Sequence, residues 1–175
     1  IQGRYPPGST FKIVSALKGL ESGIINERTI FSCRGGFPYG GRVFRCWKKG
    51  GHGSVNIHRA IVESCDVFFY NLGLKLGVDR IHEMSDIIGL GRVTGIDLPS
   101  EKDGLVPSTE WKKKTYGQPW FEGETVSVSI GQGAVWLTPA QLVQLASFVA
   151  NEGINYKPHI VNRIVSPEGK VLKTF

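Results

Sequence analysis

From Phe11 onward the apolar positions recur at helical spacing. Phe11, Ile13, Val14, Leu17 and Leu20 fall toward one side, and Gly23 supplies a stop. The helix is predicted to open at Ser9, because Pro6, Pro7 and Gly8 hold the approach extended. Residues 24–31 read as a connector running into a short strand. Residues 32–54 differ in kind. They hold seven of the chain's 23 glycines, so a helix is excluded and little apolar surface is buried; something other than packing should hold them.

Helical spacing returns at Asn56, a candidate N-cap, with Ile57, Ala60, Ile61 and Val62 lining one side. Ser64-Cys65-Asp66 interrupts, and Val67 to Leu76 resumes with Phe68, Phe69, Leu72 and Leu76. Asp79 is predicted to cap a further helix, Arg80 to Ile88, that ends at Gly89. Gly95 to Pro99 reads as a turn into extended chain, and Ser108 to Trp111 as a helical start.

Thr125 to Ile130 alternates like a strand or extended loop, broken by Gly131-Gln132-Gly133. Thr138-Pro139 opens a long amphipathic helix from Ala140 to about Asn151, with Gly153 beyond its end. The tail, His159 to Val165 and Lys170 to Phe175 around Ser166-Pro167-Glu168-Gly169, reads as a β-hairpin. No repeat or low-complexity run is present. The pattern is mixed α/β and helix-rich, with a few strands whose sheet partners are expected outside this chain.

At 175 residues the chain is one domain's worth, with 41% hydrophobic and 21% charged residues. No stretch approaches the roughly 20 apolar residues of a spanning helix, and no signal peptide opens it. The sequence begins close to a motif and stops in a strand-like run, which suggests an excised fragment. The net charge of +6 could point to nucleic acid. However, Lys112-Lys113-Lys114 and Lys48-Lys49 are short, separated and without interleaved aromatics, so no nucleic-acid partner is expected. They read as a solvated basic face, or one attracted to an anionic envelope polymer or membrane surface.

Ser9 and Lys12 are three residues apart, about one helical turn, in a first turn whose free N–H groups favour negative charge. A serine hydroxyl needs a base to attack well, and a lysine serves when burial lowers its pKa toward neutrality. The plain alternative is an N-cap serine followed by a solvated lysine. Ser64 and Asp66 stand at a junction between two helical stretches, where they either cap the next helix or aim into a cleft.

Cys33, Cys46 and Cys65 fall within one 33-residue window, with His52 between the last two. Three thiolates and an imidazole form a closed tetrahedral set of the kind structural zinc prefers. The spacings of 13, 6 and 13 residues are wider than a zinc finger's. A Cys33–Cys46 disulfide with Cys65 free, or three unlinked thiols, are the competing readings. His58, His82 and His159 read as capping, solvent-facing or packing residues. Gly131 and Gly133 are no phosphate cradle, since neither Lys-Ser/Thr nor a helix follows at the required spacing.

The run Tyr5-Pro6-Pro7-Gly8-Ser9-Thr10-Phe11-Lys12 resembles the active-site serine motif of class B penicillin-binding proteins. Ser64-Cys65-Asp66 matches the family's Ser-x-Asn/Asp triplet, 55 residues on. Trp47 to Gly53, Thr94 to Leu98, Ser129 to Gly133 and Leu137 to Gln141 extend the likeness, which is strongest to the elongation-specific penicillin-binding protein 2 family. One element departs. The family's Lys-Ser/Thr-Gly strand is absent, since Lys173-Thr174 is followed by Phe175.

The resemblance implies a partial transpeptidase domain of the serine β-lactamase-like fold over 1–175, lacking the anchor, the pedestal and the third motif, and inactive alone. It implies peptidoglycan D,D-transpeptidase activity in cell-wall elongation and rod-shape maintenance. Ser9 would be the nucleophile, Lys12 its base, Ser64 a proton relay and Asp66 a polar support. Stem peptides ending in D-Ala-D-Ala would be substrates, β-lactams inhibitors and elongation-machinery proteins partners. The location implied is the periplasmic face of the inner membrane, held by an N-terminal segment outside this chain. The family's zinc site in this region implies one structural zinc on Cys33, Cys46, His52 and Cys65, within the 32–65 segment. A β-lactam sensor or β-lactamase, and a non-catalytic zinc-stabilised interaction module, remain as alternatives.

Overall fold

Helix α3 (Asp66–Leu76) is the element the others surround in the computed structural model, which describes residues 1–174. Phe68, Phe69 and Leu72 are fully buried on it because successive turns meet different neighbours: α1 (Lys12–Glu21), α4 (Val78–Ile88) and α6 (Glu122–Val128). Close approach of α6 needs Gly73, where an added Cβ would lie 2.5 Å from that of Ser129. Burial of three such side chains, at about 2 kcal/mol each, makes α3 the chief hydrophobic contributor.

The remaining helices are α2 (Ile57–Val62), α5 (Thr109–Tyr116) and α7 (Pro139–Ala150). Their starts are encoded locally. Asn56, Ser108 and Thr138 each accept a main-chain N–H three residues on, the expected caps for the first and last and a confirmed start for the middle one.

Strands β1 (Phe31–Cys33) and β4 (Gly53–Val55) pair antiparallel, with Cys33 opposite Gly53. Between them, β2 (Gly36–Tyr39) and β3 (Arg42–Arg45) form a hairpin, with Phe37 opposite Phe44. The tail hairpin joins β5 (Arg163–Val165) to β6 (Val171–Thr174). All six strands therefore find partners within the chain, contrary to the expectation that those partners lie outside it. Phe175 lies outside the described residues.

Several sequence readings are corrected. Thr125 to Ile130 is not extended: residues 122–128 are helical, and the buried hydroxyls that suggested alternation bond locally. Ser129 donates to the Val126 carbonyl, and Thr125 accepts from the Trp120 indole. Asp79 does not cap its own helix, which starts a residue earlier at Val78; its carboxylate instead takes the N–H and hydroxyl of Thr109 at the start of α5.

Leu20, 42% exposed, faces out of α1, whereas Lys12, Ser15 and Lys18 face in. Lys18 is tolerated there by ion pairs to Glu21 and Glu83 at 2.8 and 3.0 Å. On α2, Ile57 and Ala60 are buried, but Ile61 and Val62 are exposed. Lys112 is no part of a solvated face. It is buried against the Phe121 ring, 4.3 Å from its centroid, and paired with Glu124.

Candidate active site

Ser9 does not begin the α-helix directly. It sits in a 3-10 turn, Gly8–Phe11, that runs into α1 at Lys12. Gly8 takes a positive φ of 58°, and its N–H donates to the Gly131 carbonyl at 3.0 Å. Gly131 is forced by the same contact: a Cβ there would lie 2.4 Å from the Gly8 carbonyl oxygen and 2.6 Å from Phe11 Cβ. Tyr5 and Leu137 exchange both main-chain hydrogen bonds at 2.9 Å, and the Ser15 hydroxyl donates to the Ser129 carbonyl. The turn carrying the exposed Ser9 hydroxyl is thus clamped to the 129–137 segment on both sides.

Lys12 points the other way, inward, with 2% of its surface exposed. Its Nζ donates to three oxygens: Asp66 Oδ1 at 2.6 Å, Ser64 Oγ at 2.9 Å and the Ser64 carbonyl at 2.9 Å. The Phe69 ring lies 5.6 Å from Nζ, closing a further side. The Ser64 hydroxyl in turn donates to Ser9 Oγ at 3.0 Å. All four residues singled out from the sequence are therefore brought together. Their order differs from a nucleophile beside its base, because Ser64 stands between Ser9 and Lys12.

Ser64 reaches that place through an unusual backbone. Helix α2 ends with Cys65 N–H donating to Ala60 O and Ser64 N–H to Ile61 O, a Schellman ending. Glycine usually occupies the left-handed position of that motif, yet Ser64 holds it with φ 51°. A non-glycine residue there costs about 1–2 kcal/mol. The strain presents the hydroxyl to Ser9 while the carbonyl turns back to Lys12.

Trp47 has no individual role legible in the sequence, although it opens the Trp47–Gly53 run. Its N–H donates to Asp66 Oδ2 at 3.0 Å, leaving Oδ1 for Lys12. Its indole Nε1–H reaches the Glu63 and Ser64 carbonyls at 3.0 and 3.1 Å. The ring itself is 64% exposed beside the site.

Directly behind Ser64 and Asp66 lie Cys33, Cys46, His52 and Cys65, all buried, with ligand atoms within 4.8 Å of one another. None is in a disulfide, so the Cys33–Cys46 bridge is not formed. His52 Nδ1 is 3.5 Å from both the Cys33 and Cys46 sulfurs. Bond lengths of roughly 2.3 Å to sulfur and 2.0 Å to nitrogen give a tetrahedral S···N edge of about 3.5 Å, so the residues fit a zinc ion.

His52 Nε2 is buried without a hydrogen-bond partner, and a Glu63 carboxylate oxygen stands 4.0 Å away. Burial, and then the Lys48 charge, lower the His52 pKa, so the imidazole is neutral as a ligand requires. Burial pushes the Cys65 thiol up to about 12. Burial also opposes ionisation of Cys33. There, hydrogen bonds from the Gly35 and His52 main chain and from the Cys65 and Cys46 thiols prevail and hold it below the usual thiol range.

The other histidines bond locally or face solvent. His82 donates to the Val106 carbonyl, His159 to that of Val161, and His58 is exposed. Lys173 and Thr174 lie on β6, so the segment compared with a third motif is the second strand of the tail hairpin.

Residues 1–174 match the family described as the penicillin binding protein transpeptidase domain. The peptidoglycan D,D-transpeptidase MrdA of Acinetobacter baumannii is 47% identical over 92% of this chain and 24% of its own length. The crystal structure of Pseudomonas aeruginosa PBP2 in complex with WCK 5153 superposes with a TM-score of 0.89 at 37% identity. That match covers all of this chain and 41% of that one. PBP2 of Helicobacter pylori, solved in complex with MreC, has a TM-score of 0.85 at 39% identity, over 90% of this chain and 29% of that one. The chain spans about a quarter of the length of the curated relatives it matches.

Proposed function

The chain belongs to the penicillin-binding protein transpeptidase family, and from that premise we propose that it carries the acylating half of a peptidoglycan D,D-transpeptidase centre. The observation that supports this most is the unbroken hydrogen-bonded line from Ser9 Oγ through Ser64 Oγ to Lys12 Nζ.

Ser9 Oγ attacks the carbonyl carbon between the two terminal D-alanines of a stem peptide. As the O–C bond forms, the Ser9 proton passes to Ser64 Oγ and the Ser64 proton to Lys12 Nζ. This relay runs with the lysine amine unprotonated at the start and the hydroxyls rotated to donate toward it. The oxyanion develops at the positive end of α1 and the turn before it. Collapse breaks the C–N bond, and the same relay returns a proton to the departing D-alanine. An amine from a second stem peptide then attacks the acyl-Ser9 carbonyl and gives up its proton to the relay. Ser9 regains its hydrogen and an amide cross-link results. A β-lactam follows the first half, but its leaving nitrogen stays tethered.

Asp66 holds the Lys12 amine by a hydrogen bond and stabilises the ammonium that forms when the relay delivers its proton, and Trp47 holds Asp66. Cys33, Cys46, His52 and Cys65 would bind one zinc ion, which supplies structural cross-linking and no open position. Cys65 lies between Ser64 and Asp66, so those ligands fix the triplet to the glycine-rich segment.

The work belongs to cell-wall elongation at the periplasmic face of the inner membrane. Among the described residues, no helix is long and apolar enough to cross a membrane. The MreC complex of the Helicobacter pylori relative supports elongation-machinery partners. Full-length enzyme mixed with pentapeptide-bearing glycan should release one D-alanine per cross-link formed. Absence of both products would contradict the assignment.

A further inference from the structure

From Arg28 to Val62 the chain holds seven arginines and lysines and no aspartate or glutamate, so the entire +6 excess originates there. Arg59 is neutralised by Glu63 at 2.7 Å. Among the described residues, no carboxylate lies within 4.0 Å of Arg34, Arg42, Arg45, Lys48 or Lys49. Arg34, Arg45 and Lys49 line one open recess of about 400 Å³ together with Gly35, Gly36 and Val43.

These three cations are held together by the backbone beneath them. An added Cβ at Gly35 would lie 2.1 Å from the Lys49 carbonyl oxygen, and one at Gly51 would lie 2.2 Å from that of Cys33. The Cys46 N–H donates to the Gly35 carbonyl at 3.0 Å. Like charges are thus collected by a rigid double turn without a compensating acid, which is unfavourable unless an anion comes to them.

The recess is tied to the candidate site through the chain. Cys46 lines it, and the N–H of the next residue, Trp47, is on Asp66. Guanidinium forks match carboxylates in a bidentate fashion, and the recess is of ligand size. A bilayer surface would be met better by cations on a convex face than around a hollow.

We propose that Arg34, Arg45 and Lys49 form a carboxylate subsite for the amine-bearing peptide that resolves the acyl-enzyme. This rests on the acyl-transfer reading and adds which of the two peptides the hairpin side receives. The subsite would hold the acceptor's free carboxylates while its amine reaches Ser9, raising transfer over hydrolysis.

The test uses full-length enzyme acylated by a soluble D-Ala-D-Ala-type donor. Partitioning between transfer and hydrolysis is measured for two acceptors: an amine peptide with free carboxylates, and the same peptide with them converted to carboxamides. The unaltered enzyme should favour the carboxylate acceptor roughly tenfold, and Arg34→Gln, Arg45→Gln and Lys49→Gln combined should erase that preference. Added salt should erode it too.

No preference in the unaltered enzyme, or equal loss for both acceptors in the variant, would overturn the subsite. So would a preference that the variant retains. Loss of binding to vesicles containing anionic phospholipid, with the acceptor preference intact, would instead make the patch a membrane contact. Failure of the unaltered enzyme to form any acyl-Ser9 would defeat the acyl-transfer reading itself, which the mass of the acylated protein reports separately.

Discussion

The main-chain N–H of Trp47 donates to Oδ2 of Asp66 at 3.0 Å, while the other oxygen of that carboxylate takes Lys12 at 2.6 Å. One carboxylate therefore joins the cysteine- and glycine-rich segment to the buried lysine. The indole of the same tryptophan reaches over the Glu63 and Ser64 carbonyls, so Trp47 braces the strained Ser64 turn from outside.

Trp47→Phe keeps a ring but removes the Nε1–H. It should lower stability by about 1 kcal/mol and slow acylation by penicillin about tenfold, without shifting the site of labelling. Stopped-flow acylation beside a denaturant melt checks both. A stability loss with an unchanged acylation rate would confine Trp47 to packing.

The full-length protein should contain one zinc ion per chain by elemental analysis. Its removal, or Cys46→Ser, should slow acylation at least about tenfold, because the ligand set includes the residue between Ser64 and Asp66. Metal-free protein with three titratable thiols and an undiminished acylation rate would separate the cluster from catalysis.

Gly131→Ala should destabilise the fold by at least about 2 kcal/mol and disturb the Ser9 turn. Its φ is +71°, and the new Cβ would collide with the main chain of Gly8. Urea melts and penicillin labelling would report the two effects, and a neutral outcome in both would contradict the clamp described for Ser9.

Asp97 accepts the Ile160 and Val161 N–H groups at 2.7 and 2.9 Å. Those bonds, Val161's first, hold its carboxyl below the usual range. A depressed carboxylate stabilises above the unfolded pKa, near 4 for aspartate, and that contribution disappears as pH falls through the lower folded value. Amide exchange at Ile160 and Val161 should therefore gain an acid-dependent opening that Asp97→Asn displays already at neutral pH. Identical exchange in both proteins would remove Asp97 from that role.

The sequence singled out the residues that the structure brings together more fully than it showed their arrangement. Ser9, Lys12, Ser64 and Asp66 stand in motifs of fixed spacing, and the caps at Asn56 and Thr138 are local chemistry. The order Ser9–Ser64–Lys12 was not legible, because it follows from a left-handed serine and a lysine turned into the core. Both are decided by tertiary packing. The same cause misdirected the face of α1, where Lys18 is drawn inward by Glu83 of another helix, and the reading of α6, where buried hydroxyls imitate a strand's alternation.

Acylation of Ser9 with Ser64 as its link to Lys12 is read by the mass-spectrometric site and rate of labelling by a fluorescent penicillin in full-length protein. Label should appear on Ser9 alone, vanish in Ser9→Ala and form about 10²–10⁴-fold more slowly in Ser64→Ala. Label on another residue, or an unchanged rate in Ser64→Ala, would contradict it.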